Sequence, residues 1–245
     1  MKIQIFPSPS AAARALARDI ARSVSRNPRL VVGLPTGRTS IPLYAELVAL
    51  SRSREIDFSK VTTFNLDEFV GVPPDDPRSY HAFMRRHLFD HVNLSAQRTH
   101  LLNGVATNMV DECVRFERAI DRAGGIDLMV LGLGRNGHIG FNEPDRSLVT
   151  RTHRTRLSAS SRRANAFLFG HRILRVPHEA LSMGMGTILR SRRIVLFVTG
   201  RSKAHTVERV IGGRLTPRVP ASFLQLHRDV DVWLDEAAAS LISSS

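Results

Sequence analysis

Asp127-Leu-Met-Val-Leu-Gly-Leu-Gly-Arg-Asn-Gly-His-Ile-Gly-Phe-Asn-Glu-Pro144 is the stretch on which the fold turns. It opens on a short apolar run, Leu128 to Leu131, long enough for a buried strand and too short for a helix. Glycine then takes over at Gly132, Gly134, Gly137 and Gly140. A glycine admits positive φ and lets a ligand approach the main chain closely. His138 and Glu143 stand inside this turn, and Pro144 closes it. A strand that delivers an acid/base pair into a Gly-rich loop places that pair at its carboxyl end, where open α/β sheets bind ligands.

Gly132-Leu-Gly-Arg-Asn-Gly137 also spells G-x-G-x-x-G. A dinucleotide fingerprint opens a helix and meets an acid about 20 residues on, at the end of the next strand. Here the glycines run into His138-Ile-Gly-Phe-Asn-Glu-Pro144, a poor helix start, and no clean strand ending in Asp or Glu follows near residue 155. A nicotinamide cofactor is therefore not expected. A tight turn with an incidental histidine is the plainer alternative. It weakens because other strand ends carry polar loops as well.

Upstream, Lys2 to Phe6 reads as a first strand. Ser8 or Ser10 can cap a helix running to about Asn27, with Leu16, Ile20 and Val24 buried. Arg14, Arg18, Arg22 and Arg26 mark its solvated face. The strand Leu30 to Leu34 enters Pro35-Thr-Gly-Arg-Thr-Ser40 and then a helix through Tyr44, Leu47 and Leu50. Thr36, Gly37, Arg38 and Thr39 thus lie on a strand-to-helix turn, whose free N–H groups and positive helix end suit a phosphate. The P-loop spacing is absent. A third strand, Val61 to Asn65, leads to Asp67-Glu68. The two acids read either as the acidic start of a helix or as a carboxylate aimed into the same crevice. Ser79 caps a short helix through Phe89, and a further helix spans about Asn108 to Ala123.

Downstream, residues 146–175 are rich in Arg and Ser with weak periodicity, the pattern expected of a mobile lid. Ile194 to Val198 is a clear strand ending in Gly200-Arg-Ser-Lys203, where Lys203 offers a point charge to phosphate. Val230 to Leu234 is the last strand, with Trp233 in the core. This alternation predicts one domain over 1–245: an open, mostly parallel, doubly wound (Rossmann-like) α/β sheet with helices on both faces and a lid within 146–175.

The bulk properties agree. A chain of 245 residues that is 42% hydrophobic can bury one large core. The single cysteine, Cys113, permits no internal disulfide and suits a reducing compartment. Neither a secretory signal nor an apolar run of about 20 residues is evident, so a cytoplasmic protein without membrane partner is expected. Net charge is +13 and unevenly spread: between Arg146 and Arg218 there are 16 Lys or Arg against Glu179 and Glu208 alone. That asymmetry suits an anionic partner, either nucleic acid or a phosphorylated small molecule. Only three of the 35 basic residues are lysine, so a general preference for arginine accounts for part of it.

Taken together, Leu34-Pro-Thr-Gly-Arg-Thr39, Thr63-Phe-Asn-Leu-Asp-Glu-Phe-Val-Gly71, Ser79-Tyr80, Leu101-Leu-Asn-Gly104 and the block Gly132 to Pro144 resemble the glucosamine-6-phosphate deaminases. The likeness extends from the first strand to Leu224-Gln-Leu-His227. It implies an aldose–ketose isomerisation with loss of ammonia, glucosamine 6-phosphate becoming fructose 6-phosphate, without metal or redox cofactor. In family terms His138 carries the proton for ring opening, Glu143 supports it and Asp67 moves the C2 proton to C1. Thr36, Gly37, Arg38, Thr39 and Lys203 hold the 6-phosphate. The partner implied is an amino-sugar phosphate, homo-oligomers are compatible with it, and nucleic acid is not expected as the main ligand.

The chain also departs from that pattern. Asn136 stands where many members carry an aspartate, and Arg38 replaces a small residue. Phe167 takes the place of a phosphate-contacting arginine, leaving Arg38, Arg162 or Arg163 to compensate. His153 and Thr155 occupy the basic positions of an allosteric amino-sugar site, so no activation by N-acetylglucosamine 6-phosphate is expected. Three alternatives stay open. One is the galactosamine epimer as substrate. Another is a 6-phosphogluconolactonase, for which Asp-Glu-Arg and Gly-His-Thr-Ala-Ser-like blocks would be expected instead. The third is a sugar-phosphate sensor, which would need a DNA-reading element that is not found.

Overall fold

The computed structural model describes residues 1–242. The chain begins with β1 (Lys2–Phe6), α1 (Pro9–Arg26), β2 (Val31–Leu34), α2 (Ile41–Arg52) and β3 (Thr62–Asn65). Ser8 caps α1 by accepting the Ala11 N–H, and the last turn of the helix carries Arg26. After β3 come β4 (Asp67–Phe69), α3 (Tyr80–His87), β5 (Thr99–His100), α4 (Met109–Arg122) and β6 (Leu128–Leu131). Ser79 caps α3 and Asn108 caps α4 through side-chain oxygens that accept N–H groups of the first turn. The remainder is β7 (His153–Arg156), α5 (Ala159–Asn165), β8 (Glu179–Ser182), α6 (Met185–Leu189), β9 (Arg193–Val198), α7 (Ala204–Ile211), β10 (Val230–Asp235) and α8 (Glu236–Ala239).

Seven strands pair in the order β1-β10-β9-β6-β2-β3-β5, every neighbour parallel. Strands buried on both faces are mostly apolar, and successive residues feed opposite layers. Leu128 and Val130 belong to the core under α1 and α2, whereas Met129 and Leu131 pack with Phe116 of α4 and Val207 of α7. From β2 the chain moves outward through β3 to β5, returns to β6 on the other side of β2, and continues to β9 and β10. The carboxyl ends of β2 and β6 therefore flank the point where the winding reverses, which opens a crevice there.

A second sheet, absent from the sequence reading, packs beside that crevice. Its order is β4-β8-β7, with both pairs antiparallel. Asp67-Glu68 starts this strand rather than a helix, with Asp67 opposite Ser182. The stretch 146–175 is less irregular than its composition suggests, because it contains β7 and α5. Glu117 of α4 fastens its beginning, accepting the N–H and hydroxyl of Thr152 at 2.8 and 2.7 Å and the Thr187 hydroxyl at 2.7 Å. Trp233 and Cys113 are buried, as expected.

Candidate active site

The crevice holds a cavity of about 450 Å³, a size that suits a small metabolite. Seven of the nine predicted site residues line it: Thr36, Gly37, Arg38, Thr39, Asp67, His138 and Lys203. The other two, Asn136 and Glu143, bond to each other, and Asn136 also bonds to the imidazole of His138. A second hollow of about 760 Å³, beside α4 and β7, contains none of the nine, although His153 lies in it.

The turn after β2 forms one end of the cavity. Gly37 adopts φ 103°, a conformation that L side chains rarely take. The Ser40 hydroxyl donates to the Gly37 carbonyl at 2.8 Å, and the buried Tyr44 hydroxyl donates to the Pro35 carbonyl. Lys203, from the turn after β9, lines the same cavity, and its ammonium donates to the Leu133 carbonyl. Burial, with Arg135 and Arg38 nearby, holds Lys203 down to about 8. The Arg38 guanidinium lies 5.4 Å from the centroid of the Phe167 ring. Arg163 lines the same cavity. Arg162 does not take part, since it donates to the backbone carbonyls of Val176 and Ile173 at 3.2 and 2.8 Å.

Asp67 and Glu68 are adjacent and both buried, yet they differ in surroundings. Asp67 lines the cavity and has one long bond, from the Thr36 hydroxyl at 3.4 Å. Burial pushes it up to about 7. Glu68 accepts the N–H groups of Phe69, Tyr80 and His81 at 2.8, 2.9 and 3.1 Å, at the start of α3. Burial raises it to about 8, while these donors and the positive end of the helix act in the opposite direction.

His138 sits on the turn after β6 against Gly134. A Cβ at Gly134 would come within 2.2 Å of the imidazole Nδ1, so only glycine leaves room for the ring. Nδ1 lies 2.7 Å from Asn136 Oδ1, 3.2 Å from Ser161 Oγ and 3.6 Å from Glu143 Oε2. Asn136 Nδ2 donates to Glu143 Oε2 at 2.8 Å, and the Ser158 N–H donates to Glu143 Oε1 at 3.0 Å. Burial drives His138 down to about 4; Glu143 opposes the shift and Lys203 adds to it.

Sequence reasoning missed Ser158 and Ser161, whose S-x-x-S spacing signals only the N-cap that Ser158 does form on α5. It also missed Asn165, which accepts the Tyr80 hydroxyl at 2.9 Å on the cavity wall. Among the described residues no three His, Cys, Asp or Glu side chains are grouped to hold a metal ion. No described helix is long and apolar enough to cross a membrane.

Residues 8–233 match the family described as glucosamine-6-phosphate isomerases/6-phosphogluconolactonase. The chain is 43% identical over 242 residues to a glucosamine-6-phosphate deaminase of Thermoanaerobacter sp. (strain X514), covering 99% of this chain and 95% of that one. A solved structure described as a monomeric glucosamine-6-phosphate deaminase superimposes with a TM-score of 0.95 at 41% identity, over 98% of this chain and 100% of the other. A 6-phosphogluconolactonase from Trypanosoma cruzi gives a TM-score of 0.78 at 19% identity, over 99% and 97%, which is a likeness of fold alone.

Proposed function

The chain belongs to the family of glucosamine-6-phosphate isomerases and 6-phosphogluconolactonases, and from that premise we infer that it is a glucosamine-6-phosphate deaminase. It converts glucosamine 6-phosphate and water to fructose 6-phosphate and ammonia. Relatives bearing that name match nearly the whole chain at 43% identity, whereas the lactonase likeness is confined to the fold. The observation that carries the residue roles is that Asp67 and His138 converge in one cavity with the turn of Thr36 to Thr39 and with Lys203.

In this reading the 6-phosphate rests on the N–H groups and hydroxyls of Thr36 to Thr39, with Lys203 and Arg38 supplying positive charge. That anchors the sugar with its C1–C2 end toward Asp67 and His138. His138 takes the proton from the anomeric hydroxyl and returns one to the ring oxygen, opening the pyranose to the aldehyde. A neutral imidazole at working pH suits the first half of this transfer. Asp67 then removes the C2 proton. The C2–H electrons form C1=C2, and the carbonyl oxygen takes up a proton, giving an enolamine. The same carboxyl delivers the proton to C1, the nitrogen lone pair forms C2=N, and water replaces ammonia at C2. A single carboxylate serves both carbons because they are neighbours on one face. A proton affinity near neutrality lets it take and give with similar ease.

Glu143 and Asn136 act through His138. Phe167 and Arg163 belong to the stretch 146–175 and form part of the cavity wall, so this stretch is the lid over bound substrate in the present reading. A cytoplasmic setting fits the single, buried Cys113 and a phosphorylated substrate. The test is ammonia release from glucosamine 6-phosphate coupled to detection of fructose 6-phosphate, with Asp67→Asn as control. Turnover by the wild type and its loss in the variant is the expected result. A wild type that binds glucosamine 6-phosphate without releasing ammonia overturns the assignment.

A further inference from the structure

We infer that Tyr80 is a positioning residue whose hydroxyl, through Asn165, fixes the cavity wall of Arg163 and Phe167 at a set distance from Asp67. The tie itself is independent of any reaction; its consequence for turnover rests on the function proposed above.

The fixed end of the tie is the start of α3. The Tyr80 backbone N–H donates to Glu68 at 2.9 Å, and Glu68 follows Asp67 on β4. Three rings then set the direction of the side chain. Phe69 of β4 lies 4.7 Å away, Phe141 from the loop after β6 stacks at 6.1 Å, and Phe83 of the same helix packs edge-on at 6.4 Å. A tyrosine packed this closely has its hydroxyl in one place, and a buried hydroxyl needs a partner there. Burial lifts the Tyr80 hydroxyl well above the ordinary tyrosine value, with Asp67 and Glu68 adding to the rise and the Thr36 hydroxyl opposing it. The phenol therefore keeps its proton over the whole range in which the site titrates, and remains a donor.

The receiving end is equally determined. Asn165 Nδ2 donates to the Ser161 carbonyl at 3.0 Å, one turn back on α5. A carbonyl only accepts, so the amide oxygen is left for Tyr80, whose hydroxyl donates to it at 2.9 Å. Both side chains are buried. Among the described residues this is the one hydrogen bond that joins residues 162–176 to the chain outside 157–178. A helix of seven residues is marginal on its own and depends on such anchors. Ser158 and Ser161 tie the first turn of α5 to the loop of His138 and Glu143, and Tyr80 ties its last residue to α3.

Arg163 and Phe167 stand two residues to either side of Asn165, and both line the cavity. The bond that places Asn165 therefore places them. The Arg38 guanidinium lies over the Phe167 ring, so the same placement extends to the turn after β2. Asp67 and the anchor of Tyr80 share one short strand, so the base and the opposite wall are both referred to β4. A sugar phosphate has a limited reach between C2 and its phosphate. A wall free to drift would lose the phosphate contacts while leaving Asp67 in place.

The experiment is hydrogen–deuterium exchange of the full chain without substrate, followed by steady-state kinetics, on Tyr80→Phe. That variant keeps the ring and its packing and loses only the hydroxyl. The backbone amides of residues 162–169 should exchange about tenfold faster than in the wild type, the size set by one buried hydrogen bond, while those of β6 and β9 stay unchanged. KM for glucosamine 6-phosphate should rise about tenfold with kcat within about threefold. Asn165→Leu should reproduce both changes, and the double variant should be no worse than either single one. Unchanged exchange over 162–169 in Tyr80→Phe overturns the inference. So does exchange that quickens throughout the chain, which would make Tyr80 an ordinary core residue. A fall in kcat with KM unchanged also overturns it, because the hydroxyl would then act on the reacting atoms. Exchange needs no turnover, so a protein whose residues 162–169 loosen in Tyr80→Phe but which releases no ammonia keeps the tie and loses only the proposed reaction.

Discussion

In the proposed reading the two ends of the cavity share burial but differ in charge, because only the phosphate end gathers cations. At the chemical end, burial pushes Asp67 up to about 7 and His138 down to about 4. Each shift favours the neutral form. At the proposed phosphate end burial, with the cations Arg135 and Arg38 nearby, holds Lys203 down to about 8. Groups held neutral at one end are suited to proton transfer, while gathered positive charge at the other favours a bound anion. In the proposed reaction this difference lets one small crevice both hold a dianion and move protons. It also separates the expected effects of substitution, in kcat at one end and in KM at the other.

The sharpest way to break the contrast is Asp67→Asn, which keeps the shape and removes the base. Its kcat should fall by about 10³- to 10⁴-fold with KM little changed. The same variant has a stability signature. Asp67 has a folded pKa raised above its unfolded value. Its contribution to stability is therefore complete at acid pH and is lost as pH rises through about 7. Asparagine suffers no such loss. The variant should match the wild type near pH 4 and exceed it above pH 7, by up to about 4 kcal/mol. Thermal melts at the two pH values decide this; equal gaps would mean that Asp67 is not held neutral by burial.

Next in size is Lys203→Ala, expected to lower kcat/KM about 100-fold, chiefly through KM. Inhibition by inorganic phosphate should weaken in parallel. A kcat effect of the same size would place Lys203 at the chemical end and break the division. The pH profile of kcat/KM tests both ends together. It should rise as Asp67 loses its proton near 7 and fall as Lys203 loses its own near 8, giving a narrow bell. His138 titrates well below that window. Lys203→Arg should remove the alkaline limb and leave the acid limb in place, because a guanidinium stays charged throughout.

How much of this could be read from the sequence depends on how local each feature is. The turn of Pro35 to Ser40 and the loop of His138 and Glu143 are single stretches whose chemistry follows from strand, glycines and polar residues in order. Asp67 was ambiguous because β4 is only three residues long and takes its place by pairing with β8. No periodicity shows in so short a strand. The role of Asn136 needs its two neighbours at once, and the sequence shows only that it lies near both. Among the candidate arginines, Arg162 and Arg163 differ only in helical phase. One is spent on backbone carbonyls and the other faces the cavity. The second sheet escaped because β7 is His-Arg-Thr-Arg, with half its residues exposed and no apolar face to mark it.

The smallest expected effect concerns Phe167, and it tests whether the phosphate end is a set of independent charges or a built surface. A guanidinium lying over a ring keeps its N–H edges free for an anion while one face is covered. Phe167→Leu keeps most of the bulk and loses the π-face, so KM should rise about threefold, the scale of a partly exposed cation–π contact. Arg38→Ala should raise KM about tenfold. If the ring acts only by holding Arg38, the double variant is no worse than Arg38→Ala alone, and the cycle shows coupling equal to the whole Phe167 effect. Additive losses would mean that Phe167 touches the sugar itself and that Arg38 finds its place without the ring. Phe167→Arg separates the cases further. A cation at that point lowers KM if the position faces phosphate, and repels Arg38 to no benefit if it does not.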